Sequence, residues 1–129
     1  MQISHLFGKQ LYNLSGGERK LTHIARCLIS EKAKAYILDE PFASVDIFYQ
    51  QRICFLLKNI AKNKKCIIIS THDINLALRL ACRMIILHEK IILADGKPCD
   101  IVNEELVKTL YGIRSHIFND KNGHQDMVI

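Results

Sequence analysis

Two short apolar runs separated by a single helical stripe constrain this chain more than any other feature of its sequence. Ala35-Tyr36-Ile37-Leu38 ends in Asp39-Glu40-Pro41, and Cys66-Ile67-Ile68-Ile69 follows Lys65 and ends in Ser70. Neither run alternates apolar with polar residues, which is how strands buried in a parallel sheet read. Pro41 stops the first run from continuing as a helix. Between the runs, Ile53, Leu56, Leu57, Ile60 and Ala61 recur at helical spacing until Asn63-Lys64 break the pattern. Strand, helix, strand in this order is a crossover, and a crossover makes parallel neighbours.

The flanking segments extend the same logic. Leu21, Ile24, Ala25, Leu28 and Ile29 form one apolar stripe and predict a helix over 17–31. Asp73 is placed to cap a helix whose stripe is Ile74, Ala77, Leu78 and Ala81. The apolar runs 84–87 and 91–94 flank His88-Glu89-Lys90 and predict a hairpin. Asp95-Gly96-Lys97-Pro98 reads as a turn, and Glu104 to Tyr111 as a short helix stopped by Gly112. The predicted fold class is α/β: a mainly parallel sheet with helices on both faces, then a C-terminal β-hairpin and short helix. In such sheets chemistry sits beyond the carboxyl ends of the strands. Residues 1–113 read as one organised portion, and 114–129 as a tail polar enough to fray.

Charge and composition exclude several classes. The 129 residues carry 18 Lys and Arg against 13 Asp and Glu, a net charge of +5. The basic residues are scattered, the densest being Lys62, Lys64 and Lys65, so a solvated helix end is the reading and no nucleic-acid partner is expected. The apolar stretches are far shorter than the roughly 20 residues a membrane span needs, and no basic-then-apolar signal segment follows Met1. Cys27, Cys54, Cys66, Cys82 and Cys99 form no C-x-x-C pair, which argues for reduced thiols acting as core filler. His5, His23, His72, His88, His116 and His124 show no zinc spacing.

Four short constellations carry chemistry. Leu14-Ser15-Gly16-Gly17-Glu18 opens the first helix. Ser15 and Glu18 suit a capping box, yet each glycine costs about 1 kcal/mol relative to alanine in a helix interior. Bare N–H groups closing on a phosphate, with the Ser15 hydroxyl as an added donor, would explain the glycines. Asp39 and Glu40 end the first apolar run one position apart; either they begin a solvated loop, or one serves a cation and the other a water in phosphoryl transfer. Ser44-Val45-Asp46 follows, where Asp46 also suits the cap of the next helix. Ser70-Thr71-His72-Asp73 ends the second run, which puts His72 on the same sheet edge as the two acids.

In that order and spacing, LSGGE, YILDEP, ASVD and STHD resemble the ATP-binding cassette (ABC) ATPase family. The tail from Asp95-Gly96-Lys97-Pro98 to Leu110-Tyr111-Gly112-Ile113 further resembles importers of iron-siderophore complexes, haem and cobalamin. The resemblance implies a partial P-loop NTPase sheet. It implies that Leu14, Ser15, Gly16, Gly17 and Glu18 are the signature, binding nucleotide held by a second ABC ATPase subunit. It gives Asp39 to Mg²⁺ through water, Glu40 and His72 to catalysis, and Ser44, Val45 and Asp46 to the D-loop. ATP and Mg²⁺ would be the cofactors. The partners would be that second subunit, an integral-membrane permease and, indirectly, a substrate-binding protein, with the chain peripheral on the cytoplasmic face of the membrane. Glu18 stands where the family often has glutamine.

The 129 residues contain no G-x-x-x-x-G-K-[ST]; Gly8-Lys9-Gln10 and Gly96-Lys97-Pro98 lack the rest of it. The resemblance therefore implies the C-terminal portion of a cassette, whether fragment, split gene product or partial sequence, and one expected to be inactive alone. A non-transport ABC ATPase and an incompetent dimerisation module are the alternative readings.

Overall fold

The computed structural model describes residues 6–30, 32–119 and 125–128. His5, His124 and Glu31, the expected end of the first helix, lie outside the described residues. The chain forms two compact units, residues 1–72 and 73–129.

In the first unit a 3-10 turn, Leu11–Asn13, leads into helix α1, Gly16–Leu28. A capping box at Ser15 sets its start, and its stripe buries Leu21 and Ile24. Strand β1, Ala35–Asp39, is followed by helix α2, Ile47–Lys62, and strand β2, Cys66–Ser70. The two strands pair in parallel, in register from Ala35 opposite Cys66 to Asp39 opposite Ser70. Helices α1 and α2 pack on each other and on the strands, with Leu21, Ile24, Tyr36, Leu38, Ile53 and Leu57 buried. The Tyr36 hydroxyl donates to the Ser30 carbonyl at 2.8 Å and accepts from Lys65 Nζ at 3.2 Å, tying the start of β1 to that of β2.

Burial on both faces of these strands is not what the structure shows. Tyr36 and Leu38 are each 6% exposed, whereas Ile37 is 77% and Ile68 53% exposed. The helix cover expected on both faces is thus present here on the Tyr36–Leu38 face. Among the described residues the parallel sheet holds two strands only. An uninterrupted apolar run says that both faces are apolar, and says nothing of what covers each.

The second unit opens with helix α3, Ile74–Leu80, capped by Asp73, whose Oδ1 accepts from Leu76 N at 2.9 Å. Strand β3, Met84–His88, pairs antiparallel with β4, Ile91–Gly96, the hairpin that the two apolar runs predict. The turn residues Glu89 and Lys90 both have left-handed backbones, φ 48° and 68°, which match the right-handed twist of a two-residue hairpin. At the open end Arg83 donates twice to Asp95, at 2.9 and 2.8 Å, and this holds the Asp95 carboxyl below its ordinary range. Helices α4, Pro98–Ile101, and α5, Glu104–Tyr111, follow; Gly112 at φ 70° ends α5.

The segment expected to fray contains a second antiparallel pair, β5, His116–Asn119, and β6, Gln125–Val128. Met127 is 7% exposed and clusters with Ile74, Leu78, Val102 and Val107. The Asn75 amide clamps it, donating to Met127 O at 3.1 Å and accepting from Met127 N at 2.9 Å. Ile117 also packs on this cluster, and a polar segment average hides two such anchors.

The cysteines are not core filler. Cys27, Cys66, Cys82 and Cys99 are exposed, Cys54 is half-buried, and all five are free of disulfides. Cys27 shows why: it sits beside the Leu21–Ile24–Leu28 stripe rather than in it, and position on the helix overrides residue type. Among the described residues no helix is long and apolar enough to cross a membrane.

Candidate functional site

The carboxyl ends of β1 and β2 build one cluster. Because Asp39 pairs with Ser70 in the ladder, the Ser70 hydroxyl reaches Asp39 Oδ1 and donates to it. Ser70 Oγ in turn accepts from Glu40 N at 3.0 Å. Glu40 has a left-handed backbone, φ 42°, a conformation that costs a side-chain-bearing residue about 1–2 kcal/mol. Ser70 holds it on one side, and buried Pro41 fixes the chain on the other. The kink turns the Glu40 carboxylate to His72, whose Nδ1 lies 2.9 Å from Glu40 Oε1 and donates to it. The pair is open to solvent, with side chains 80% exposed for His72 and 35% for Glu40. Asp39, Glu40 and His72, singled out from sequence, therefore stand together, and Ser70, which sequence reasoning passed over, joins them. The signal was the in-register alignment of the two apolar runs, which puts a hydroxyl opposite the first acid.

Past Pro41 the chain makes successive turns, Ala43 N to Glu40 O and Val45 N to Phe42 O, both 3.2 Å, with Phe42 and Val45 buried. Ser44 is left-handed at φ 59°. Asp46 caps α2, Oδ1 accepting from Tyr49 N at 3.0 Å, as the simpler reading of that residue requires.

The glycine segment forms its capping box in full: Glu18 N donates to Ser15 Oγ at 3.2 Å and Ser15 N to Glu18 Oε2 at 2.9 Å. Leu14 beneath it is buried. The first backbone bond of the helix runs from Arg19 N to Ser15 O, which leaves the N–H groups of Gly16 and Gly17 at the positive end. A Cβ at Gly17 would lie 3.8 Å from Tyr49 and 4.0 Å from Asp46 Oδ2, so Asp46 and the glycines are neighbours. At Gly16 a Cβ would meet nothing within 4 Å, and its φ is not positive. Neither packing nor backbone demands a glycine there.

A hard-oxygen site for Mg²⁺ fits Asp39. Its Oδ2 accepts no hydrogen bond among the described residues, and Mg²⁺ beside phosphates is held by one or two carboxylates rather than an all-protein cage. Among the described residues no group of three or more His, Cys, Asp or Glu side chains is placed to hold a metal ion.

Known proteins resemble this chain. The family model described as ABC transporter matches residues 1–43. The hemin import ATP-binding protein HmuV of Nitrobacter winogradskyi is 34% identical over 122 residues, covering 89% of this chain and 45% of HmuV. The ferric enterobactin transport ATP-binding protein FepC of Escherichia coli K12 is 36% identical over 128 residues, covering 98% of this chain and 47% of FepC. A transporter solved in an inward-facing conformation, of the metal-chelate ABC type, superposes with a TM-score of 0.81 at 25% identity, over 99% of this chain and 53% of that one. The chain is similar to the ATP-binding proteins of ABC transporters. It spans about half the length of the curated relatives it matches. Its helices and strands follow the α/β order that the resemblance implies.

Gly16→Ala follows from the empty space at that position. In this ABC-type portion the substitution is expected to leave stability unchanged or raise it by up to ~1 kcal/mol, alanine being the better helix former. Urea unfolding measures it, and a loss above ~1 kcal/mol would mean that the fold itself needs the glycine.

Proposed function

We propose that this chain supplies the hydrolytic carboxylate, histidine and signature segment of an ATPase that drives an importer of the haem and ferric-siderophore kind. The observation that carries the reading is the Glu40–His72 pair, 2.9 Å apart at the carboxyl end of a parallel strand with Asp39 beside it. Two relatives named for hemin import and ferric enterobactin transport support the substrate class.

Glu40, held beside His72, accepts the proton of an attacking water as a general base. His72 orients that carboxylate through Nδ1 and presents its other ring nitrogen toward a terminal phosphate oxygen. Ser70 fixes Asp39 and the Glu40 backbone relative to each other. Asp39 would hold Mg²⁺, which when bound supplies positive charge to the phosphate oxygens. Gly16 and Gly17 offer N–H groups at a helix N-terminus to nucleotide held by a second ATPase subunit. A permease in the membrane, fed by a substrate-binding protein, would take up the closing motion, with this subunit peripheral on the cytoplasmic face.

The test is a FepC of Escherichia coli K12 in which this chain replaces its matching portion. ATP turnover is expected, and His72→Ala is expected to lower it by about 10²–10⁴-fold with nucleotide binding retained. An unchanged rate in His72→Ala would remove the histidine from the mechanism, and absence of any turnover in the parent protein would remove the ATPase reading.

A further inference from the structure

His72 Nδ1 stands 2.9 Å from Glu40 although the histidine side chain is 80% exposed, so packing around the imidazole is not what holds it there. Its backbone lies in a three-residue link, 71–73, between the end of β2 and the start of α3. A link this short takes its course from its two anchors. At one end the ladder fixes Ser70 opposite Asp39. At the other, Asp73 is bound into the helix: its carbonyl accepts from Ala77 N at 3.0 Å and its Oδ1 from Leu76 N at 2.9 Å. The course of the chain through His72 therefore depends on how the first turn of α3 is held.

What holds that turn is the C-terminal strand. Helix α3 is seven residues long, well short of the length at which a helix stands by itself in water. Its buried Ile74 and Leu78 rest in the cluster with Val102, Val107 and Met127. Asn75 adds direction to that apolar contact. Capping already falls to Asp73, and the Asn75 amide instead donates to Met127 O at 3.1 Å and accepts from Met127 N at 2.9 Å. An antiparallel ladder turns the N–H and C=O of alternate residues away from the partner strand, and the amide takes that place for Met127, which pairs with Ile117. Both bonds are part-buried, so truncating the amide would leave two main-chain groups unpaired as well as release the helix.

We propose that Asn75 is a positioning residue for hydrolysis: by clamping the first turn of α3 to β6 it fixes the backbone that carries His72 and so keeps the imidazole at Glu40. The inference rests on the hydrolytic reading of Glu40 and His72, and it adds the C-terminal strand to the parts that this reading needs.

Two readouts test it. In the full chain, the nitrogen-15 shifts of the His72 imidazole, assigned against His72→Ala, report the bond from Nδ1 to Glu40. Asn75→Ala is expected to move them at least halfway toward their values in Glu40→Ala. In the replaced FepC, Asn75→Ala is expected to lower kcat by about tenfold to a hundredfold, the loss a misplaced reacting group brings, with KM within about twofold. In a His72→Ala background the same substitution is expected to change kcat by less than about twofold, because its effect runs through the histidine. Met127→Ala shrinks the apolar contact but keeps both main-chain atoms that Asn75 binds; it is expected to lower stability and leave kcat within about twofold. Where Asn75→Ala does not fold, Asn75→Gln displaces the amide by one methylene group and carries the same comparison. Unmoved His72 shifts, an unchanged kcat, equal losses with and without His72, or a Met127→Ala that loses as much turnover as Asn75→Ala would each overturn the proposal. Failure of the underlying reading looks different: His72→Ala itself leaves turnover unchanged, or the parent has none, and either takes this inference with it.

Discussion

Glu40→Gln in the replaced FepC is expected to lower ATP turnover by about 10²–10⁴-fold, the usual contribution of a positioned general base, while nucleotide binding stays at the parent level. The amide keeps the size of the side chain, and its oxygen still accepts from His72 Nδ1, where the carboxylate oxygen now lies at 2.9 Å. The left-handed backbone at φ 42° and the bond from Glu40 N to Ser70 Oγ are main-chain features that the substitution leaves in place. What disappears is the capacity to take a proton from water. Single-turnover hydrolysis and equilibrium binding of ATP separate the two effects. A rate within about twofold of the parent would mean that another group activates the water. A parallel loss of binding would mean that Glu40 organises the site rather than the proton transfer.

The strength of that expectation comes from how much of the cluster could be read before any coordinates. The run ending in Asp39-Glu40-Pro41 announces a strand end, because proline forbids a helical continuation, and Ser70-Thr71-His72 announces a second end at a crossover's distance. Parallel pairing then brings the two ends to one edge. Sequence could not give the contact between Glu40 and His72, which depends on a left-handed residue that only the fold imposes. Nor could it give Ser70, whose role depends on register: a slip of one residue would have turned the hydroxyl to the other face.

Burial was less legible. Strand runs such as Tyr36-Ile37-Leu38 report apolar character on both sides, and the structure buries Tyr36 and Leu38 while exposing Ile37. Helical stripes select a face by their spacing, and Leu21, Ile24, Ile53 and Leu57 on the predicted stripes are buried, whereas Ile29 at the end of the first stripe, past the last residue of α1, is 75% exposed. The C-terminal pair β5–β6 was missed because its anchors are few and distant. Met127 joins the Ile74–Val107 cluster, pairs with Ile117 of β5 and is clamped by Asn75, a contact 52 residues apart in sequence that no local pattern encodes.

The same contrast between stripe and surface predicts the largest stability effect in the first unit. Ile53 is 0% exposed at the middle of α2, on the face that packs toward β2 and α1, and Phe55 two positions later is 71% exposed. Ile53→Ala removes three carbon atoms from a close-packed site whose neighbours sit on several elements and cannot all collapse inward. A cost of about 2–5 kcal/mol is expected. Phe55→Ala removes a larger side chain, yet it takes away surface that is already hydrated, and a change within about 0.5 kcal/mol is expected. Urea unfolding of the two variants, read by far-ultraviolet circular dichroism, orders them. If Phe55→Ala proves the more destabilising, the outer face of α2 is packed in solution and the face assigned as its core side is wrong.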